Sequence, residues 1–341
     1  MPASTLFPFQ HAYSTPSASA LLKTIPEDFI VTETIAYSLS GEGEHVWCWV
    51  KKINQNSEWV AKQIAKFCGV TNAQMGVAGK KDKQAVTYQW MSCHLPGLKT
   101  PDFSKLNIQG VQVLKTIRHH KKLQTGGLSG NRFELNLTEV KGDKRRIELS
   151  LNQVKQQGFA NYFGEQRFGI EAENLPKASA FFKGETRPKR HQKTMYISAA
   201  RSWMFNEILS QRIAEGSWNK YKAGDAFQLA GSQKWFVDDG DVKLIARLDE
   251  LDIHPTGALF GKGNLATKLS VAKLENTIFA QHPIWTEGLA KLGLKQERRA
   301  LRVVPHDMNW HWKNDCLRLK FSLPAGSYAT MLVREIFITD L

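Results

Sequence analysis

Cysteine is scarce: the chain has four in 341 residues, Cys48, Cys68, Cys93 and Cys316, with no Cys-x-x-Cys spacing. Neither a zinc site nor a disulfide framework is suggested, and buried free thiols are expected. Long apolar runs are missing too. The longest is five residues, Val46 to Val50, against the roughly 20 needed to cross a bilayer. The first lysine is Lys23, after a Ser/Pro/Ala-rich lead, so a signal peptide is not indicated and a cytoplasmic protein without membrane contact is expected. Several cofactor and metal motifs are likewise absent. No His-Glu-x-x-His occurs, and no Gly-x-Gly-x-x-Gly opens a strand-to-helix unit. GALFGKG at Gly257 to Gly263 has three residues between its first glycines where a phosphate loop needs four, and Gly263 stands where Ser or Thr must hold magnesium. ATP is therefore set aside, and no metal is expected.

Negative charge is the deficit that matters most. The net charge is +14, a surplus whose commonest partners are nucleic-acid phosphates or an anionic membrane surface. It is unevenly spread, since the first arginine is Arg118 and residues 1–60 hold three lysines against six acids. Four stretches carry the excess: 62–83 nets +4, 115–146 nets +6, 183–193 nets +4 and 291–302 nets +4. Such clustering favours a nucleic-acid groove over general solubility. Arg187, Lys189, Arg190 and Lys193 follow Gly and Pro in a loop-like context, which does not suit an amphipathic membrane helix.

The length is a prior for two domains at about 150 residues each. Phe29, Val31, Glu33 and Ile35 alternate with Ile30, Thr32 and Thr34, predicting a strand, and Val46 to Lys52 predicts a second. Asn56 or Ser57 can cap a helix whose Val60, Ile64, Phe67 and Cys68 share a face, with Gly69 as its stop. Thr71 to Lys83 reads as a loop, and Ala85 to Ser92 as a strand. After the Gly126–Gly130 turn, Phe133, Leu135 and Leu137 alternate; a helix from about Lys144 ends at Gly158. The texture changes near residue 156. Helices are predicted at Ser198 to Ala214 and at Tyr328 to Phe337, with a strand through Leu317, Leu319, Phe321 and Leu323 between them. The mixture points to an α+β fold.

The segment Gly76-Val-Ala-Gly-Lys-Lys-Asp-Lys-Gln-Ala-Val-Thr-Tyr-Gln-Trp90 differs from the rest in its chemistry. Its one carboxylate, Asp82, sits among three lysines after two glycines that let backbone approach a ligand. Neighbouring cations favour an ionised carboxylate, which suits a nucleophile or base, and the same lysines can hold a phosphate. A solvated turn with locally cancelling charges explains the same residues.

This run resembles the AG-x-KD-R-x-A-x-T-x-Q motif of the TruD family of tRNA pseudouridine synthases. PEDFIVTE (Pro26 to Glu33), GNRFEL (Gly130 to Leu135), NYFGEQRFG (Asn161 to Gly169), HPTGALFGKG (His254 to Gly263), ERRALR (Glu297 to Arg302) and LPAGSYATMLVRE (Leu323 to Glu335) are similar to further family segments, in family order. Lys83 stands where the family commonly has Arg, which keeps charge but loses a planar, bidentate fork.

The resemblance implies a catalytic domain with a mixed or antiparallel sheet formed by both chain ends, 1–155 plus 304–341, with an α+β TRUD domain, 156–303, inserted. It implies isomerisation of a tRNA uridine to pseudouridine, at position 13 and notably in tRNA-Glu, by a monomer that needs no cofactor. Asp82 would be the nucleophile or base, attacking C1′, adding to C6 or abstracting the C2′ proton. Phe133 matches the family's stacking aromatic, a plain core Phe being the competing reading. Asn131 would meet Asp82 or the uracil edge, unless it only serves a positive backbone angle after Gly130. Lys23 and Lys81 are candidates to pair with Asp82 or the target phosphate. A catalytically inactive RNA-binding protein on the same scaffold is the alternative.

Overall fold

The structure, a computed structural model, describes residues 7–339; the outer ends of the expected catalytic segments, 1–6 and 340–341, lie outside them. In chain order the strands are β1 (Ser19–Leu21), β2 (Phe29–Thr34), β3 (His45–Ile53), β4 (Met75–Val77), β5 (Val86–His94), β6 (Val111–His119), β7 (Gly130–Lys141), β8 (Phe159–Ala160), β9 (Ala226–Leu229), β10 (Trp235–Val237), β11 (Ile253–Leu259), β12 (Glu297–Ala300), β13 (Arg302–Val303), β14 (His306–Lys313) and β15 (Cys316–Pro324). The helices are α1 (Ser57–Phe67), α2 (Lys144–Gln157), α3 (Asn174–Phe182), α4 (Arg190–Ala214), α5 (Lys243–Asp249), α6 (Leu269–Ala280), α7 (Pro283–Lys291) and α8 (Ala329–Arg334).

The chain divides into two compact units. One comprises Ala18–Gly142 and Pro305–Gly326, with Thr339; the other runs from residue 7 to Ser17 and through Asp143–Val304 and Ser327–Ile338. In the first, a nine-stranded sheet runs in the order β14-β15-β7-β2-β5-β3-β6, with β1 also on β7 and β4 also on β5. It is mixed: β2 and β5 are parallel, while β2 with β7, β3 with β5 and β7 with β15 are antiparallel. The register puts Phe321, Phe133, Val31, Thr87 and Lys52 in one row across five strands. Cross-strand neighbours share a face, so the side chains two residues along from these do as well.

Alternation in β2 and β3 explains that face, and α1 covers part of it. Asn56 caps α1, its side chain accepting from the backbone N–H groups of Glu58 and Trp59. Val60, Ala61, Ile64 and Ala65 pack against Val46, Cys48, Val50, Met91 and Cys93. Cys48 and Cys93 are buried, Cys68 and Cys316 half-buried, and all four are free thiols.

The second unit holds a four-stranded antiparallel sheet, β10-β9-β11-β12, and the β13-β8 pair. Tyr196, Ala200, Met204 and Ile208 of α4 pack with Ala178, Leu274, Trp285 and Leu289. Four expectations need correction. The loop at Thr71 to Lys83 contains β4. The helix expected from Ser198 begins at Arg190, because the Gln192 side-chain oxygen accepts from the Lys189 backbone N–H and caps the turn. Arg190 and Lys193 therefore belong to α4 rather than to a loop. The last helix is shorter than expected and stops at Arg334.

Candidate active site

Asp82 lies on the connection between β4 and β5. Its side chain is 28% exposed, and its Oδ2 accepts from Lys23 Nζ at 2.9 Å. Lys23 is only 11% exposed, and its ammonium also sits 4.2 Å from the centre of the Phe29 ring, within the range where an aromatic face attracts a cation. Lys23 adopts φ 64°, a left-handed conformation unusual for a lysine. The backbone bends there to aim the ammonium at both partners.

A second lysine grips the same residue from below. Lys52, on β3, is fully buried and donates from Nζ to the Asp82 backbone carbonyl at 2.9 Å. Burial lowers its pKa to about 8, with Asp82 pulling the other way and Lys81 adding to the fall. Next to Asp82, the Lys81 N–H donates to Ser57 Oγ at 3.2 Å, and the Ser57 hydroxyl donates to Gln89 Oε1 at 2.8 Å. The N-terminus of α1 and strand β5 thus fix the connection that carries Asp82.

The Lys81 side chain turns elsewhere, its Nζ 3.7 Å from Glu33 Oε2 in a pair that is almost wholly buried. Burial raises the Glu33 pKa and lowers that of Lys81, in each case against the attraction of the partner. At 3.7 Å the contact is an ion pair without a good hydrogen bond. Of the two candidate lysines, then, Lys23 meets the Asp82 carboxylate and Lys81 meets Glu33.

Asn131 stands directly opposite Glu33 in the β2-β7 ladder. It lies in extended backbone within β7 and is not among the residues of positive φ, so a turn does not account for it. Among the described residues its Oδ1 is buried without a hydrogen-bond partner, as are Thr87 Oγ1 and Gln89 Nε2. Phe133, opposite Val31, is 6% exposed. Its ring stacks on Phe321 at 5.4 Å and meets Phe29 edge-on at 6.1 Å. Phe29 links it to Lys23. Of the two motif glycines, Gly76 serves packing and not a ligand: a Cβ there would meet the Leu123 carbonyl and the Ser92 hydroxyl. Lys83 is exposed.

Glu33, Lys52, Ser57 and Gln89 were not singled out by sequence reasoning, yet a signal existed. Lys52 occupies the same phase of β3 as Val46, Cys48 and Val50, and Glu33 the same phase of β2 as Phe29 and Val31. A charged residue on the buried phase of a strand is the observation that asks for an explanation. The face offers a half-exposed carboxylate, buried cations beside it, and unused donors and acceptors on neighbouring strands. Among the described residues no cluster of three His, Cys, Asp or Glu is arranged to hold a metal ion.

Known proteins are similar to this chain in sequence and in fold. A family model described as tRNA pseudouridine synthase D (TruD) matches residues 9–175 and 179–336. The tRNA pseudouridine synthase D of Hydrogenovibrio crunogenus is 57% identical over 335 residues, 98% of this chain and 97% of the relative. That of Nitrosococcus oceani is 44% identical over 330 residues, 95% of this chain and 92% of the relative. A solved Methanosarcina mazei structure described as a tRNA pseudouridine synthase D superposes with a TM-score of 0.74 at 21% identity, covering 98% of this chain and 97% of the other; at that identity it speaks for the fold alone. Sheet, helices and matches together define an RNA-modifying isomerase of α+β architecture. The chain belongs to the TruD family, tRNA pseudouridine synthase D.

Proposed function

We propose that the chain isomerises one uridine of tRNA to pseudouridine, at position 13 and notably in tRNA-Glu, with Asp82 as the nucleophile or base and the target base flipped out of its stack. The reaction breaks the N1–C1′ bond and forms a C5–C1′ bond; a proton leaves C5 and one is gained at N1. Composition is unchanged, so no co-substrate is consumed. An extruded base is commonly held by an aromatic face and by hydrogen bonds to its edge. In this reading Phe133 and Asn131 supply those contacts, while Lys23 orients the Asp82 carboxylate. The observation that carries it is the Asp82 carboxylate, 28% exposed and 2.9 Å from a nearly buried lysine, inside the family's motif.

The catalytic domain is proposed to comprise 1–155 and 304–341, around the inserted TRUD domain 156–303. In support, the sheet that carries Asp82 takes strands from both ends of the chain, β1–β7 and β14–β15. The protein is proposed to act as a monomer in the cytoplasm. Its test is a pseudouridine map of total tRNA with and without the gene. Loss at position 13 of tRNA-Glu is expected, and an unchanged map overturns the assignment.

Affinity for tRNA should also depend on salt. Lys62, Lys66, Lys80 and Lys83, and likewise Lys183, Arg187, Lys189 and Arg190, are exposed. Four phosphate contacts predict a loss of roughly 100-fold between 50 and 200 mM salt, because each contact releases condensed counterions. A filter-binding titration reads the slope, and a slope near zero excludes these clusters from the interface.

A further inference from the structure

Lys52 carries a charge where charge is expensive. Its side chain is buried completely, its hydrogen bond goes to a backbone carbonyl, and it forms no salt bridge with a carboxylate among the described residues. A lysine in such a place loses hydration and would ordinarily be replaced by an apolar residue or supplied with a counter-ion. Its cross-strand neighbours, Thr87 on β5 and Val111 on β6, are uncharged. The atom it does hold is the carbonyl oxygen of Asp82, the residue whose carboxylate is presented to solvent.

We infer that Lys52 is a positioning residue for the isomerisation: its ammonium pins the backbone of Asp82 from inside the sheet while Lys23 orients the carboxylate from outside. This rests on the assignment of Asp82 as the reactive group. The two lysines act on different atoms of one residue, the carbonyl at 2.9 Å and Oδ2 at 2.9 Å. The Ser57–Gln89 pair adds a third tie through the neighbouring N–H of Lys81. Three ties on two consecutive residues immobilise a connection that would otherwise be a solvent-exposed, lysine-rich turn. The ammonium also supplies a fixed positive charge beneath the site, where low dielectric makes it effective.

The charged groups around Lys52 set its titration. Asp82 favours the protonated form and Lys81 opposes it; Lys81 is itself paired with Glu33 on β2, and Asp82 with Lys23. With burial the largest influence, Lys52 loses its proton as pH rises through about 8. The neutral amine can still donate to the carbonyl but contributes no charge, so the single-turnover rate should fall on the alkaline side of pH 8.

The test uses the full chain with tRNA under single-turnover conditions. Lys52→Met is expected to lower the rate constant roughly 30- to 100-fold, the size of effect that misplacing a reactive group produces. Its tRNA dissociation constant should stay within about threefold of that of the natural chain, since a buried side chain cannot touch phosphate. Lys52→Arg, cationic at every pH used, should recover part of the rate and abolish the alkaline limb. A Lys52→Met rate within threefold of the natural chain, or an unchanged limb in Lys52→Arg, overturns the inference. If neither variant folds, Lys52→Gln, which relieves the buried charge but does not reach as far as the lysine, decides in their place: a rate more than threefold below that of the natural chain at unchanged tRNA affinity supports the role, and a rate within threefold overturns it. Asp82→Asn, run in parallel, separates the two claims. Should it retain turnover, the assignment of Asp82 falls and this inference with it; should it be inactive while Lys52→Met is normal, only the role of Lys52 falls.

Discussion

Asp82→Asn should abolish pseudouridine formation, lowering the single-turnover rate by roughly 1,000-fold or more, the scale expected when a nucleophile or general base is lost. The substitution is nearly isosteric. Its amide oxygen can still accept from Lys23 Nζ, now 2.9 Å from Oδ2, and its backbone carbonyl still accepts from Lys52. Geometry is thus preserved while the charge and the basic lone pair are lost. Affinity for tRNA should change by less than about threefold, because removing one negative charge from a lysine-rich surface does not weaken phosphate contacts. Carbodiimide mapping of the product together with a binding titration reads both quantities. Turnover within tenfold of the natural chain would exclude Asp82 as the reactive group and return the inactive-scaffold alternative to consideration.

How much of this was visible in the residues varies along the chain. Strands β2 and β3 and helix α1 were legible because each has one face buried, so apolar residues recur at the period of the element and Asn56 marks a cap. β14 was not, since five of its eight residues are polar or charged and the strand lies at the sheet's edge. β1 and β4 are three residues long, too short to establish any period. The start of α4 was hidden by the Gly and Pro that precede it, although Pro188 stands just before the N-cap and Gln192 closes it. In the site, Asp82 was legible from its motif. Which lysine it meets depends on the parallel pairing of β2 with β5, which sets the segment before β2, with Lys23, beside the segment before β5, with Asp82, a long-range pairing that local pattern does not encode. Lys52 and Glu33 lie on the buried phase of β3 and β2, where strand periodicity alone does not distinguish a buried charge from the apolar residues beside it.

The fourth basic stretch, 291–302, was expected to help form a nucleic-acid groove, but two of its arginines face inward. Arg298 is buried against Glu275, with Nη2 to Oε1 at 2.7 Å, and also donates to the Thr256 hydroxyl and carbonyl. Glu275 in turn accepts from the Ala258 N–H at 3.0 Å and the Thr267 hydroxyl at 2.6 Å. Arg302 is likewise buried and donates to the carbonyls of Leu248 and Ile253. The HPTGALFGKG and ERRALR segments therefore meet as β11 and β12, where Arg298 pairs with Ala258 in the ladder. Helix α6 supplies the acid, Glu275, that neutralises Arg298. Glu275→Ala should lower the unfolding free energy by about 3–5 kcal/mol, because it leaves a guanidinium buried without its counter-charge. It also strips a partner from a β11 N–H and from Thr267, each an additional cost. Replacing both partners, Glu275→Leu with Arg298→Met, should recover much of that loss, since neither charge is then left alone. Urea denaturation followed by circular dichroism measures the difference. An unshifted midpoint in Glu275→Ala would mean that Arg298 finds another partner or escapes to solvent, and that the basic stretch has a surface role after all.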